Sequence, residues 1–189
     1  MTIESLEAAF AATRTVLAEV TPERYGDPTP CASWTVRDLV NHIVEGANWF
    51  PLCVEAAAAP DPDPTHGVDY AAGDAVASFD AGAAAALAAF AAPGAQERMI
   101  VLPFGELPGS VFMGIATNDM VVHGWDLARA TGQPYDVDPE QAVRLLGVVS
   151  SFADTLRGPE GAGAFGPAVE APEGATPLLR LVAYLGRQP

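Results

Sequence analysis

Residues 35–58, TVRDLVNHIVEGANWFPLCVEAAA, place apolar side chains at Val36, Leu39, Val40, Ile43 and Ala47, the three-and-four spacing of one helix face. Thr35 followed by Asp38 has the spacing of a capping box, with an acid where glutamate or glutamine is usual, and predicts a helix over about 36–58. His42 falls about 120° from the middle of that stripe, so it flanks a core rather than filling it. The same periodicity recurs along most of the chain and β-branched alternating runs are few, so the predicted class is mainly α.

Upstream, Asp27-Pro28-Thr29-Pro30 forbids helix and favours an extended or turning path. Before it, Ile3, Leu6, Phe10, Thr13 and Leu17 predict a first helix over 3–19, ended by Val20-Thr21-Pro22. Downstream, residues 60–69, PDPDPTHGVD, read as an exposed loop. An alanine-rich third helix is expected over about 71–91, closed by Pro93-Gly94, and residues 98–104, RMIVLPF, as a short extended stretch. A fourth helix should begin near Pro108-Gly109 and run to Thr131, with Gly132 supplying a left-handed stop. A fifth begins after Asp138, with Pro139 in its first position and Glu140 in its first turn, and stops before Gly158-Pro159. Residues 158–175, rich in Gly, Ala and Pro, read as a linker or an ordered loop on the bundle. Thr176-Pro177 then caps a short helix from Leu178 to Leu185, ended by Gly186. The expected division is a helical bundle over 1–157 and a C-terminal loop and short helix over 158–189 packed on it.

The chain has 189 residues with 24 acidic and 9 basic side chains, a formal charge of −15, and every basic residue is arginine. Without lysine there is no Schiff-base nucleophile and no complete Walker A loop. An acidic surface repels phosphate backbones and anionic lipid, which argues against nucleic-acid and membrane-surface partners. Much of the apolarity is alanine, and no run of strongly apolar residues is long enough to span a bilayer. The opening MTIESLEAAFAATR lacks a basic region followed by a compact apolar one, so no secretory signal is expected and the cytoplasm is the expected location. In that compartment Cys31 and Cys53 are expected as free thiols.

Asp119 and His123, four apart on the fourth predicted helix, lie one turn above the other, and Asp126 shares their face. If the second and fourth helices pack side by side, His42 meets them across the bundle. Two imidazoles and a carboxylate form a ligand set for zinc, nickel or ferrous iron, with positions left open for water or substrate. The competing reading is a hydrogen-bonded core histidine beside a solvated carboxylate, and spacing alone favours it, because D-x-x-x-H is a weak motif.

Resemblance shifts that balance. Pro28–Asn48, PTPCASWTVRDLVNHIVEGAN, resembles the approach to the second helix in the mycothiol-dependent maleylpyruvate isomerase group of the DinB/YfiT-like superfamily. Thr117–Gly132, TNDMVVHGWDLARATG, resembles that group's fourth-helix metal motif. Ala164–Arg187, AFGPAVEAPEGATPLLRLVAYLGR, is similar to the closing segment of an uncharacterised, actinobacterial-type branch. The resemblance implies a DinB-like four-helix bundle with an additional helix and a C-terminal tail segment. It also implies a divalent metal, usually zinc, on His42, Asp119 and His123. The departure is Asp119, where the isomerase has glutamate and many relatives have histidine; the shorter arm would shift or weaken the metal, or call on Asp126.

In the better-understood relatives the metal binds a low-molecular-weight thiol such as mycothiol or bacillithiol, whose thiolate adds to an electrophile. The resemblance therefore implies a thiol-dependent transferase or isomerase whose partners are that thiol and a small electrophilic substrate; a homodimer is compatible with it. The same site would also suit a hydrolase using metal-activated water, or a bundle that binds metal without catalysing a reaction.

Around this set, Asp126 reads as an acceptor orienting an imidazole, ahead of a helix cap or a solvated carboxylate. Trp125 and Trp49 read first as packing residues, with Trp49, seven residues beyond His42, also a candidate for the mouth of the site, and Trp34 as a hydrophobic staple before the Thr35 cap. Arg129, Arg180 and Arg187 are candidates to pair a substrate carboxylate, against the commoner role of surface ion pairs. Cys31 has no base or cation among its sequence neighbours and reads as structural or incidental, and His66 as solvated.

Overall fold

The Thr35–Asp38 pair forms the predicted cap. In the computed structural model, which describes residues 1–157 and 165–189, the Thr35 hydroxyl accepts from the Asp38 N–H while the Asp38 carboxylate accepts from the Thr35 N–H. This starts α2 (Val36–Ala56), and the Thr2 hydroxyl caps α1 (Ile3–Ala18) by accepting from the Ser5 N–H. Asp74 caps α3 (Ala75–Ala91), which therefore begins later than the expected residue 71; Tyr70–Ala72 forms a separate 3-10 turn before it. The long α4 (Gly109–Thr131) ends at Gly132, whose φ of 70° provides the left-handed stop.

Helices α1 to α4 form the bundle: α2 packs on α3 and α4, and α1 on α3 and α4. The α2–α3 contact is close because Gly82 faces backbone. A Cβ there would come within 2.8 Å of the Ala47 carbonyl carbon and 2.9 Å of its oxygen. Pro51, inside α2, has no N–H to give that carbonyl, so α3 can settle against it. Leu6, Leu39, Ile43, Phe79, Phe90, Phe112 and Met120 fill the core.

The expected extended stretch is one arm of a hairpin. Strand β1 (Met99–Leu102) pairs antiparallel with β2 (Gly105–Pro108), Met99 opposite Pro108, and β2 leads directly into α4. Two further helices follow: α5 (Pro139–Ser150), capped by Asp138, lies on α4, and α6 (Pro177–Tyr184), capped by Thr176, lies on α5. Helix α5 stops well before Gly158, because Ser150 and Ser151 turn their hydroxyls back onto the carbonyls of Gly147 and Val148 and a 3-10 turn follows. Part of the expected 158–175 loop, residues 158–164, lies outside the described residues; beyond it Val169 donates to the Ala183 carbonyl and holds the segment to α6. Among the described residues no helix is long and apolar enough to cross a membrane.

Candidate metal centre

His42 projects from the second turn of α2, and Asp119 and His123 project one turn apart from the middle of α4, where the two helices face each other. His42 Nε2 and His123 Nε2 each stand 3.5 Å from the same atom, Asp119 Oδ1. The imidazoles meet edge to face, centroids 4.6 Å apart at 81°. A tetrahedral ion with arms of about 2.1 Å separates its ligand atoms by about 3.4 Å, so these spacings match the edges of such a polyhedron. They are also longer than a good hydrogen bond. His42 Nε2 is buried with no hydrogen-bond partner, although a third of the side chain, 35%, remains accessible. A buried ring nitrogen left without a donor or acceptor is the expected state of a ligand atom awaiting a cation. The residues present therefore fit a divalent metal.

The charges agree with this geometry. Burial disfavours the charged form of His42, but the Asp119 carboxylate outweighs it and holds the imidazole above its ordinary pKa of 6.5. Burial likewise raises Asp119, and the two imidazoles more than offset it, so that carboxyl stays below its ordinary 3.8.

Behind His123 stands a second layer. Asp126 is fully buried, and its Oδ2 accepts from His123 Nδ1 at 3.0 Å, which leaves Nε2 with a free lone pair toward Asp119 and His42. The same carboxylate accepts from the Cys31 thiol at 3.1 Å and from Arg187 Nε and Nη2 at 3.2 and 2.9 Å. Burial alone would raise its pKa; the bond from His123 and the charge of Arg187 bring it down to about 2. Cys31, Asp126 and His123 are themselves spaced as ligands. There the Arg187 guanidinium, also 3.7 Å from Cys31 Sγ, already supplies the positive charge. Burial, with the Asp126 charge beside it, pushes the Cys31 thiol up to about 12, so it acts as a neutral donor rather than a nucleophile.

The side chains of His42, Asp119, His123 and Asp126 thus converge, while several residues placed around them do not join them. Trp34, expected as a staple, lies over both rings, tilted on His42 at 4.8 Å and stacked on His123 at 5.8 Å. Trp49 takes the packing role, edge-on to Phe112 at 5.7 Å and beside Phe50, and not the mouth of the site, because the seven-residue step from His42 carries it to the aromatic cluster between α2 and α4. Arg129 and Arg180 are exposed and make no ion pair among the described residues, since each sits on the outer face of its helix; Arg187, the third candidate, is committed to Asp126. Cys31, with no base or cation among its sequence neighbours, has both across the fold. Its loop carries the one available sequence signal: Thr29 bonds to the Cys31 and Trp34 carbonyls and folds residues 29–34 back over the start of α2. His66 is exposed as expected and pairs with Glu45 at 3.2 Å. Both cysteines are free.

Comparison with known proteins gives the family. Residues 6–128 match the family model described as the mycothiol maleylpyruvate isomerase N-terminal domain. Two uncharacterized proteins of Mycobacterium tuberculosis, MT0763 of strain CDC 1551 and Rv0738 of strain H37Rv, are each 39% identical over 194 residues, covering 99% of this chain and 96% of theirs. Among solved structures, the mycothiol-dependent maleylpyruvate isomerase superposes with a TM-score of 0.61 at 17% identity, covering 77% of this chain and 68% of that one. A mutant of the isomerase gives a TM-score of 0.57 over the same coverage. The fold is the expected DinB-like bundle, and the chain belongs to the family of the mycothiol maleylpyruvate isomerase N-terminal domain.

Proposed function

We propose that His42, Asp119 and His123 hold a divalent metal, zinc before others, and that the protein is a thiol-dependent transferase or isomerase acting on a small electrophile. The observation that carries this reading is the common 3.5 Å approach of two Nε2 atoms to Asp119 Oδ1, with the buried His42 Nε2 left without a partner. Family membership supports the thiol: the solved relative is named for its dependence on mycothiol. The chemistry such an ion supplies is Lewis acidity, which favours the ionised form of a thiol whose free pKa is about 8.5.

The chain's own groups do the remainder. Asp119 supplies negative charge between the imidazoles, Asp126 fixes the tautomer of His123, and Trp34 screens both rings from solvent on one side. The Cys31 thiol, held protonated by its surroundings, does not compete as a nucleophile. On this reading the attacking sulfur belongs to a co-substrate thiol.

The test is metal content and thiol dependence in the purified protein. About one zinc per wild-type chain, lost in His42→Ala and in His123→Ala, is expected; equal metal in all three removes these residues as ligands. Turnover of a model electrophile should require added low-molecular-weight thiol. Turnover at the same rate without thiol would assign the site to hydrolysis by bound water.

A further inference from the structure

The last residues of the chain reach the site through a particular turn. Helix α6 ends in paired bonds from Gly186 N–H to the Ala183 carbonyl at 2.9 Å and from Arg187 N–H to the Val182 carbonyl at 3.0 Å, the pattern of a Schellman motif. Gly186 takes the left-handed position that motif needs, with φ at 90°. A Cβ on it would also stand 3.1 Å from the Gly166 backbone and the Pro167 carbonyl oxygen. The turn directs Arg187 inward. Its side chain is 10% accessible, Nη1 donates to the Leu185 carbonyl at 3.1 Å, and Nε and Nη2 reach the two oxygens of Asp126. The Asp126 oxygen that takes Nη2 is also the one that accepts from His123 Nδ1. Arg187 lies well beyond the family-matched residues 6–128.

We propose that Arg187 is a positioning residue for His123, acting through Asp126, so that the C-terminal segment is a working part of the metal centre. This rests on His42, Asp119 and His123 being the ligands. A guanidinium forked across a carboxylate fixes the plane of that carboxylate, and the plane sets the direction of the His123 ring. Without Arg187 the buried Asp126 loses its counter-charge, and the imidazole loses both its orientation and part of its basicity.

The experiment is zinc affinity of the full-length protein, measured by competition with a chromogenic chelator, beside the absorption spectrum of the cobalt-loaded protein and the thermal midpoint. Arg187→Gln is expected to bind zinc about 10–100-fold more weakly, as outer partners of histidine ligands do, with an altered cobalt spectrum. Arg187→Lys should recover part of the affinity, and Arg144→Gln, in an exposed ion pair, should match wild type. A protein whose folding alone depends on Arg187 would lose thermal stability while zinc affinity and cobalt spectrum stayed those of wild type, and that result overturns the proposal. Should Arg187→Gln not fold, Arg187→Lys carries the test: it keeps the charge but not the fork, and wild-type affinity in it is equally decisive. His123→Ala separates the two readings. If it binds zinc as wild type does, the ligand assignment fails first; if it loses zinc while both Arg187 variants keep it, only the positioning role fails.

Discussion

Asp126 has no accessible side-chain surface, yet it carries a charge that three neighbours share: the His123 imidazole, the Cys31 thiol and the Arg187 guanidinium. Asp126→Asn keeps the volume and removes the charge, leaving a buried guanidinium without its counter-ion. Breaking a buried pair from one side costs about 3–5 kcal/mol, so the unfolding free energy of the metal-free protein, read from urea titration, should fall by an amount in that range; an unchanged value would mean that Arg187 swings out to water. At this scale the sequence was legible where one helix carries the information. Asp119, His123 and Asp126 share a face of α4, and helical spacing alone brings them together. Cys31 and Arg187 were not legible, because they meet Asp126 across separations of 95 and 61 residues. The features that aim them, a folded-back loop before α2 and a Schellman turn after α6, act only once the bundle exists. Trp34 was legible only in part for the same reason: a staple is a local contact, whereas its partners also include a ring from α4.

Helix α2 carries His42 and is held at its start by the Thr35–Asp38 box, so the site depends on an exposed cap two turns away. Thr35→Ala should cost about 1 kcal/mol near neutral pH, as N-cap losses do. The Asp38 carboxyl sits below its ordinary 3.8 because the Thr35 hydroxyl, and then the Thr35 N–H, donate to it, outweighing a small burial penalty. A depressed carboxylate contributes stability that is complete above 3.8 and is lost as pH falls through the lower folded value. The gap between wild type and Thr35→Ala in thermal midpoint should therefore hold from about pH 8 to 5 and narrow below about pH 4. It does not close, since the Asp38 N–H bond to the Thr35 hydroxyl does not titrate. A gap constant to about pH 2 would remove the carboxylate from the cap. Caps and stops of this kind made α1, α2, α4 and α6 readable to within a residue or two. The hairpin was half readable: Met99–Leu102 is apolar and β-branched, whereas its partner Gly105–Pro108, GELP, has no strand signal of its own and pairs only because the turn brings it alongside.

Across the whole molecule, 24 acidic groups face 9 arginines. Arg14, Arg24, Arg37, Arg144, Arg157 and Arg187 all sit in ion pairs with aspartate or glutamate, and most carboxylates have no cationic partner among the described residues. Five of these six pairs involve at least one well-exposed side chain, and such pairs contribute about 0–1 kcal/mol each. Self-repulsion from a formal −15 is expected to be the larger electrostatic effect. Raising sodium chloride from about 10 mM to 100 mM shortens the screening length from about 30 Å to about 10 Å. That weakens the long-range repulsion across the bundle while leaving the buried Asp126–Arg187 pair almost untouched. The thermal midpoint of the metal-free protein should therefore rise with sodium chloride, by about 2–4 °C for each kcal/mol of repulsion removed. Chloride is the right probe, because sulfate would stabilise any fold by exclusion from its surface. A midpoint that falls over the same range would mean that the arginine pairs outweigh the excess of carboxylates, and would locate the chain's electrostatic stability on its surface rather than in its core.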